Sequence, residues 1–234
     1  MKQLRSYQKN AIKALWDYLF TTPGNPLIDA PVGAGKSLIL SEFIRQVHEA
    51  YPRTRILVLA HVKELLQQNA EELLEQYPDA DFGFYCAGLG SKKLYNDITF
   101  ASIQSIHNKL GNFNRAPEIV IVDEAHTIPH KSQTRYRNFF NQVENLNPNC
   151  KIIGFTGTPF RADTGYLDKG DGALFDAICY DIPIPYMIDQ GYWAKPVTPK
   201  VDTKMDTSSV DTRAGDFVES QLQDAVNTDD INKN

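Results

Sequence analysis

The chain has 234 residues, 42% hydrophobic and 23% charged, enough for one large α/β domain or two small ones and too apolar for a disordered or fibrous protein. Twenty-four basic against twenty-nine acidic residues leave a net charge of −5, which excludes a surface that is basic all over and leaves room for a local nucleic-acid footprint. No apolar run approaches the ~20 residues of a membrane span or the ~7 to 15 of a signal-peptide core, so a cytoplasmic protein with no membrane contact is expected.

From Ser6, the residues Ile12, Leu15, Trp16 and Leu19 recur at the spacing of an amphipathic helix, which Pro23 and Gly24 end. PLIDA (26–30) reads as a short strand. A glycine-rich loop then opens a second helix, Lys36 to Ala50, and RILVLA (55–60) is short, apolar and β-branched enough for a buried strand. A helix over Val62 to Gln76, strands at FGFYC (82–86) and DITFA (97–101), and a helix from Ser102 continue the alternation. They are followed by the strand EIVIV (118–122), a helix from Ser132 and KIIGF (151–155), the last clear core strand. Beyond Phe160 the chain loosens through 163–172, regains a helix-like IPYMIDQGY (184–192) and passes through a polar stretch, 202–216. Asp216 and Glu219 are spaced to cap a last amphipathic helix, FVESQLQDAV (217–226). Strands alternating with helices predict a three-layer α/β/α fold with a mainly parallel sheet, and in such sheets ligands bind at the carboxyl ends of the strands.

Every motif that carries chemistry falls at such an end. APVGAGKS (30–37) follows a strand and opens a helix, the context of a phosphate-binding loop. Its backbone from Pro31 through Val32, Gly33, Ala34 and Gly35 can turn N–H groups toward phosphate oxygens. Lys36 reaches the β and γ phosphates, and the Ser37 hydroxyl can ligate Mg²⁺. Ala30 stands where the commonest form of the loop has glycine. Downstream, IVIVDEAH (119–126) ends a hydrophobic strand in two acids. Asp123 can hold Mg²⁺ through water, and Glu124 can orient and deprotonate the water that attacks in line. GFTGTPFR (154–161) puts the hydroxyls of Thr156 and Thr158 at a third strand end, beside the expected place of Asp123 and His126, where they can sense the γ-phosphate. Cys86, Cys150 and Cys179 lie far apart with no CxxC pair, which points away from a disulfide framework and from zinc in this segment.

With these signatures in order, the chain resembles the first RecA-type lobe of a superfamily 2 helicase, a P-loop NTPase of the DEAD/DEAH-box kind. The phosphate loop, DEAH and TGTP resemble motifs I, II and III of that superfamily; LVLAHVKELLQQ (57–68) resembles motif Ia, ITFASIQSI (98–106) motif Ib, and LRSYQ (4–8) the adenine-recognising motif. Within the superfamily, the strings VLAHVKEL, AGL, ITFASIQSI, GFTGTPFR and PYMIDQGY are most similar to the bacterial RadD-like group of DNA-repair helicases. The resemblance implies that Gln8, with Arg5, hydrogen-bonds adenine, and that His61, Lys63, Ser102 and Gln104 lie along a nucleic-acid backbone. It also implies that His126 and Thr156 couple the phosphates to lobe closure.

Residues 1–200 are then the ATP-binding RecA-like domain, and 201–234 a polar segment with a terminal helix leading toward a second lobe. After Arg161 the only arginine is Arg213 and no GRxxR-like segment occurs, so the arginine finger is expected on that second lobe. The lobe by itself is expected to bind ATP weakly and turn it over very slowly. The polar end, NTDDINKN, reads as a cut. ATP, Mg²⁺, DNA contacted through its phosphates and a second RecA-like lobe are the implied partners. Two other readings stay open: a non-catalytic single-lobe module that binds nucleotide or nucleic acid, and the same motor on another track, as in RNA helicases or the translocating subunit of a restriction enzyme.

Overall fold

The computed structural model describes residues 1–196 apart from 114, 130–133, 162–164 and 171, together with 211–213, 216, 217 and 221. In chain order the elements run α1 (Ser6–Thr21), β1 (Pro26–Asp29), α2 (Lys36–Ala50), β2 (Ile56–Ala60), α3 (Lys63–Gln76), β3 (Phe82–Cys86), β4 (Ser91–Lys92) and β5 (Ile98–Ser102). They continue with α4 (Ile103–Ile106), β6 (Ile119–Val122), α5 (Arg135–Leu146), β7 (Lys151–Thr156), β8 (Phe160–Arg161), β9 (Gly165–Tyr166), β10 (Ala177–Asp181) and α6 (Ile184–Asp189).

One eight-stranded sheet carries the fold, in the order β10-β1-β7-β6-β2-β5-β3-β4. All its pairings are parallel except that of β4 with β3. Side chains alternate between faces along each strand. Ile56, Val58 and Ala60 of β2 enter the core shared with α1, α2, α3 and α6, while Leu57 and Leu59 enter the core shared with α4 and α5. Both faces are therefore covered, which is why the central strands read as nearly continuous apolar runs. On α5, Tyr136, Phe139, Phe140 and Val143 make the buried stripe, and the Thr134 hydroxyl caps the helix by accepting from the Arg137 N–H at 3.3 Å.

Several boundaries differ from expectation, each for a local reason. KIIGF is not the last strand of the sheet: β10 adds to the edge beside β1, and its residues are half-buried or, at Asp181, exposed, so neither alternation nor a continuous apolar run announces it. The antiparallel β4 and the β8–β9 hairpin are each two residues long, too short for a periodic signal. Ser102 ends β5 and is also the N-cap residue of the expected helix, α4, which is a single turn. Val62 caps α3 from outside. The expected start of α5 at Ser132 lies outside the described residues, as do most of 201–234 and the body of the expected terminal helix. Asp216 and Phe217 pair with Thr212 and Arg213 as short antiparallel strands β11 (Thr212–Arg213) and β12 (Asp216–Phe217), so no helix begins at Phe217.

Close approach decides one position in the sheet. Gly154 of β7 pairs with Leu27 of β1 on one side and Val122 of β6 on the other, and a Cβ there would lie 2.5 Å from Phe175 Cζ and 2.6 Å from Leu27 Cδ1. Both neighbours are buried in a packed core, where making room costs energy. Gly154→Ala is expected to destabilise the chain by about 2 kcal/mol through overpacking, read as a lower urea midpoint at unchanged slope; an unchanged midpoint contradicts it.

Candidate active site

Three strand ends, those of β1, β6 and β7, build the site. The loop after β1 turns into α2 at Gly35, whose φ of +79° is left-handed. A Cβ on Gly35 would sit 2.5 Å from Gln8 Nε2, the movable end of a side chain, so it is the left-handed turn that requires glycine. The loop stays attached to the sheet because the Ala30 N–H donates to the Thr156 carbonyl of β7 at 2.7 Å. Parallel pairing of β7 with both β1 and β6 then brings Lys36, Thr156 and the acids after β6 to one place.

Lys36 Nζ lies 3.1 Å from Glu124 Oε1, with the two side chains 12% and 24% exposed, and donates to the Ala30 carbonyl at 3.4 Å. Glu124 holds φ at +51°, a left-handed conformation that a non-glycine residue adopts at a cost. That backbone turn aims its carboxylate between Lys36 and His126. His126 Nδ1 lies 3.0 Å from Thr156 Oγ1 and 3.3 Å from Glu124 Oε2. The bond to His126, followed by the charge of Lys36, holds the Glu124 carboxyl below its ordinary range, so it is anionic at neutral pH. Thr156 is fully buried and its hydroxyl accepts from the Thr158 N–H at 3.0 Å, whereas Thr158 is exposed and joins the network through its backbone.

Asp123 is 4% exposed, and burial pushes its carboxyl above the ordinary range. Asn69 of α3 opposes that shift by donating to Asp123 Oδ2 at 2.7 Å, and the Glu124 N–H donates to Oδ1 at 3.0 Å. Sequence reading missed Asn69. Its signal is a polar residue on the inward stripe Leu66, Asn69, Ala70, Leu73, where burial of an amide calls for a partner.

Arg5 and Gln8 stand at the mouth of the same cleft, a space of about 560 Å³ that Gly33, Gly35, Lys36, Ser37, Asp123 and Glu124 also line. That volume suits a small-molecule ligand. Gln8 is only 4% exposed; its Oε1 accepts from the Arg5 N–H at 2.9 Å and its Nε2 donates to the Ala34 carbonyl at 3.0 Å. The amide thus ties α1 to the loop, leaving one donor hydrogen and one lone pair for any ligand. Tyr7, also missed, donates to the same Ala34 carbonyl at 3.1 Å. Pro31 is buried in the loop, and Val32 is 75% exposed at its tip.

The residues of the motif Ia- and Ib-like segments gather at the neighbouring ends of β2 and β5. Gln104 Nε2 lies 3.4 Å from His61 Nδ1, and both side chains are exposed, as is Lys63. Ser102 is different: it is 6% exposed, and its hydroxyl donates to Ser105 Oγ at 2.9 Å, so it braces this turn from beneath.

Asp29, the last residue of β1, was also unexpected as a site group. It lies opposite Asp181 of β10, and half-burial, with the charge of Asp181, pushes its carboxyl from 3.8 up to about 6. An acid whose folded pKa is raised destabilises the fold once ionised, so the cost is absent below about pH 4 and complete above about pH 6. Asp29→Asn is expected to raise the thermal midpoint by a few degrees at pH 8 and to leave it unchanged at pH 4; an equal shift at both values refutes the burial argument.

The family described as "Type III restriction enzyme, res subunit" matches residues 1–161. "Putative ATP-dependent helicase IRC3" of Saccharomyces cerevisiae is 28% identical over 242 residues, covering 98% of this chain and 34% of its own length. This chain thus spans about a third of the curated relatives it matches, whose covered shares are 34%, 30% and 38%. Among solved structures, the type ISP restriction-modification enzyme LlaGI, in complex with a DNA substrate mimic, superposes with a TM-score of 0.60 at 15% identity, over 83% of this chain and 21% of that one. The UvsW helicase of bacteriophage T4 superposes at 0.57 with 18% identity, over 76% of this chain and 60% of that one. At such identities the superpositions speak to the fold, which is RecA-like. The chain therefore belongs to the family of the type III restriction enzyme res subunit, and is a first RecA-like lobe of the superfamily 2 helicase type.

Proposed function

We propose that the chain is the ATP-binding motor lobe of an ATP-dependent DNA helicase or translocase, which hydrolyses ATP to ADP and phosphate once a second RecA-like lobe closes over it. The single observation that carries this reading is the Lys36–Glu124 ion pair of 3.1 Å, set between the phosphate loop and the His126–Thr156 contact. A triphosphate on the loop gives Lys36 a competing partner of higher charge. Drawn toward it, Lys36 releases Glu124 from one of the charges that hold its carboxyl low, and Glu124 becomes the stronger base while substrate is bound. Loss of the γ-phosphate reverses the exchange, and Thr156, bonded to His126 at 3.0 Å, carries the change into the turn before β8.

The donor set fits Mg²⁺: the Ser37 hydroxyl and the Asp123 carboxylate are hard oxygen ligands, and a buried carboxylate is relieved by a nearby cation. The ion would neutralise charge on the phosphates. Arg5 and Gln8 are the groups proposed to meet the adenine. His61, Lys63 and Gln104 offer exposed polar contacts to a phosphate backbone, with Ser102 supporting their turn, and such contacts do not read bases.

DNA as the track is favoured by the neighbours, since LlaGI was solved with a DNA substrate mimic and the Sulfolobus solfataricus SWI2/SNF2 ATPase core with double-stranded DNA. The family match gives specific support to a restriction-enzyme-type translocase. A RadD-like role in DNA repair rests on the shared strings alone and remains part of the proposal, as do a boundary near residue 200 and a cytoplasmic location. Among the described residues no helix is long and apolar enough to cross a membrane.

ATP turnover by the natural full-length protein, measured with and without single- and double-stranded DNA, tests the reading. Stimulation by DNA is expected, with Lys36→Ala and Glu124→Gln each lowering turnover on the order of 10²-fold or more. Turnover that ignores DNA removes the translocase, and a Glu124→Gln protein of normal rate removes the proposed base.

A further inference from the structure

The segment after α6 carries none of the nucleotide-site residues used above, yet it packs against the mouth of the nucleotide cleft. The chain reverses at Gly191, where φ is +71°, and the N–H groups of Tyr192 and Trp193 both donate to the Met187 carbonyl, at 2.8 and 3.0 Å. Met187 is fully buried, so this turn is pinned to the core. The Tyr192 ring then lies 5.5 Å from that of Tyr7, and Tyr7 meets Tyr186 edge-on at 6.1 Å. The Arg5 guanidinium sits over the Tyr192 ring, 4.0 Å from its centroid, and Arg5 Nη1 donates to the Tyr7 hydroxyl at 3.3 Å. Trp193 closes the same wall: a Cβ on Gly33, in the phosphate loop, would be 3.2 Å from its indole Nε1.

A guanidinium is a plane with two faces. The Tyr192 ring covers the guanidinium from one side, and Arg5 is otherwise exposed and lines the cleft beside Gln8. Its backbone is fixed through Gln8 Oε1 and its edge through Tyr7, so little side-chain freedom remains to be lost when something stacks on the open face. We infer that Tyr192 is a positioning residue for nucleotide binding, which holds the Arg5 guanidinium as a stacking platform for the base of ATP. The segment Tyr186–Trp193 is on this view a wall of the base subsite. The inference rests on the ATP reading above and deepens it.

Stacking on the base predicts a loss confined to ligands that have a base. The 234-residue chain is titrated calorimetrically with Mg²⁺-ATP and, separately, with inorganic tripolyphosphate. Tyr192→Leu, which keeps apolar bulk against Tyr7 and removes the aromatic face, is expected to weaken ATP about fivefold and to leave tripolyphosphate within about twofold. Tyr192→Phe restores the wild-type value. Added to Arg5→Ala, the leucine substitution costs nothing further, because both changes remove one platform. Equal losses of ATP and tripolyphosphate, unchanged ATP affinity, or additive losses with Arg5→Ala would each overturn the inference. The Lys36→Ala chain separates this claim from its foundation: if it binds tripolyphosphate like the wild type, the phosphate-loop reading itself fails.

Discussion

The site depends on β7 joining β6 to β1: it pairs with β6 over Lys151–Gly154 and with β1 over Gly154–Thr156. The pairing runs to the last residue, Asp29 against Thr156, and continues one step beyond the strand through the Ala30 N–H and the Thr156 carbonyl. The phosphate loop and the acids after β6 are not on adjacent strands, so Lys36 has to reach across the end of β7 to meet Glu124. A side chain as long as lysine spans that gap, and Gly157, just after β7, leaves room for the phosphate loop. A Cβ on Gly157 would lie 3.1 Å from the Ala30 carbonyl oxygen.

Concentrating charge at the end of a covered sheet is costly, and the surrounding residues show how the cost is met. Asp123 is nearly dry, and Asn69 and the Glu124 N–H supply its hydrogen bonds. Glu124 accepts left-handed strain to stand between a lysine and a histidine. Asn69 Oδ1 is buried without a hydrogen-bond partner, and Asp29 keeps a raised pKa next to Asp181. These are small local penalties against a core built from whole apolar strands, and they cluster where ionic chemistry is needed.

Much of this arrangement is legible in the sequence because the central strands are buried on both faces and end in chemically distinctive residues. β1, β2, β6 and β7 announce themselves as apolar runs, and APVGAGKS, DEAH and TGTP mark the ends of β1, β6 and β7. The edge is harder to read. AICYD mixes apolar and polar residues because only part of each side chain is covered, and β4 is two residues long. Side-chain partners that depend on tertiary proximity are hidden for a different reason. Asn69 looks like any polar residue on a helix, and only the packing of α3 against β2 and β5 brings it to Asp123. Ser102 has the residue type of a backbone contact and is buried, while Gln8 spends half of its hydrogen-bonding capacity on Arg5 and Ala34. Nor does the spacing of Arg5 and Tyr192 in the chain hint that they touch.

The central claim is that Lys36 exchanges Glu124 for the phosphates of ATP. A crystal structure of the chain with Mg²⁺ and a non-hydrolysable ATP analogue tests it most directly. The claim predicts Lys36 Nζ on a β- or γ-phosphate oxygen and parted from Glu124, with Ser37 and Asp123 facing the metal and His126 still on Thr156. A nucleotide bound with its phosphates elsewhere, or a Lys36–Glu124 pair left intact beside them, contradicts it.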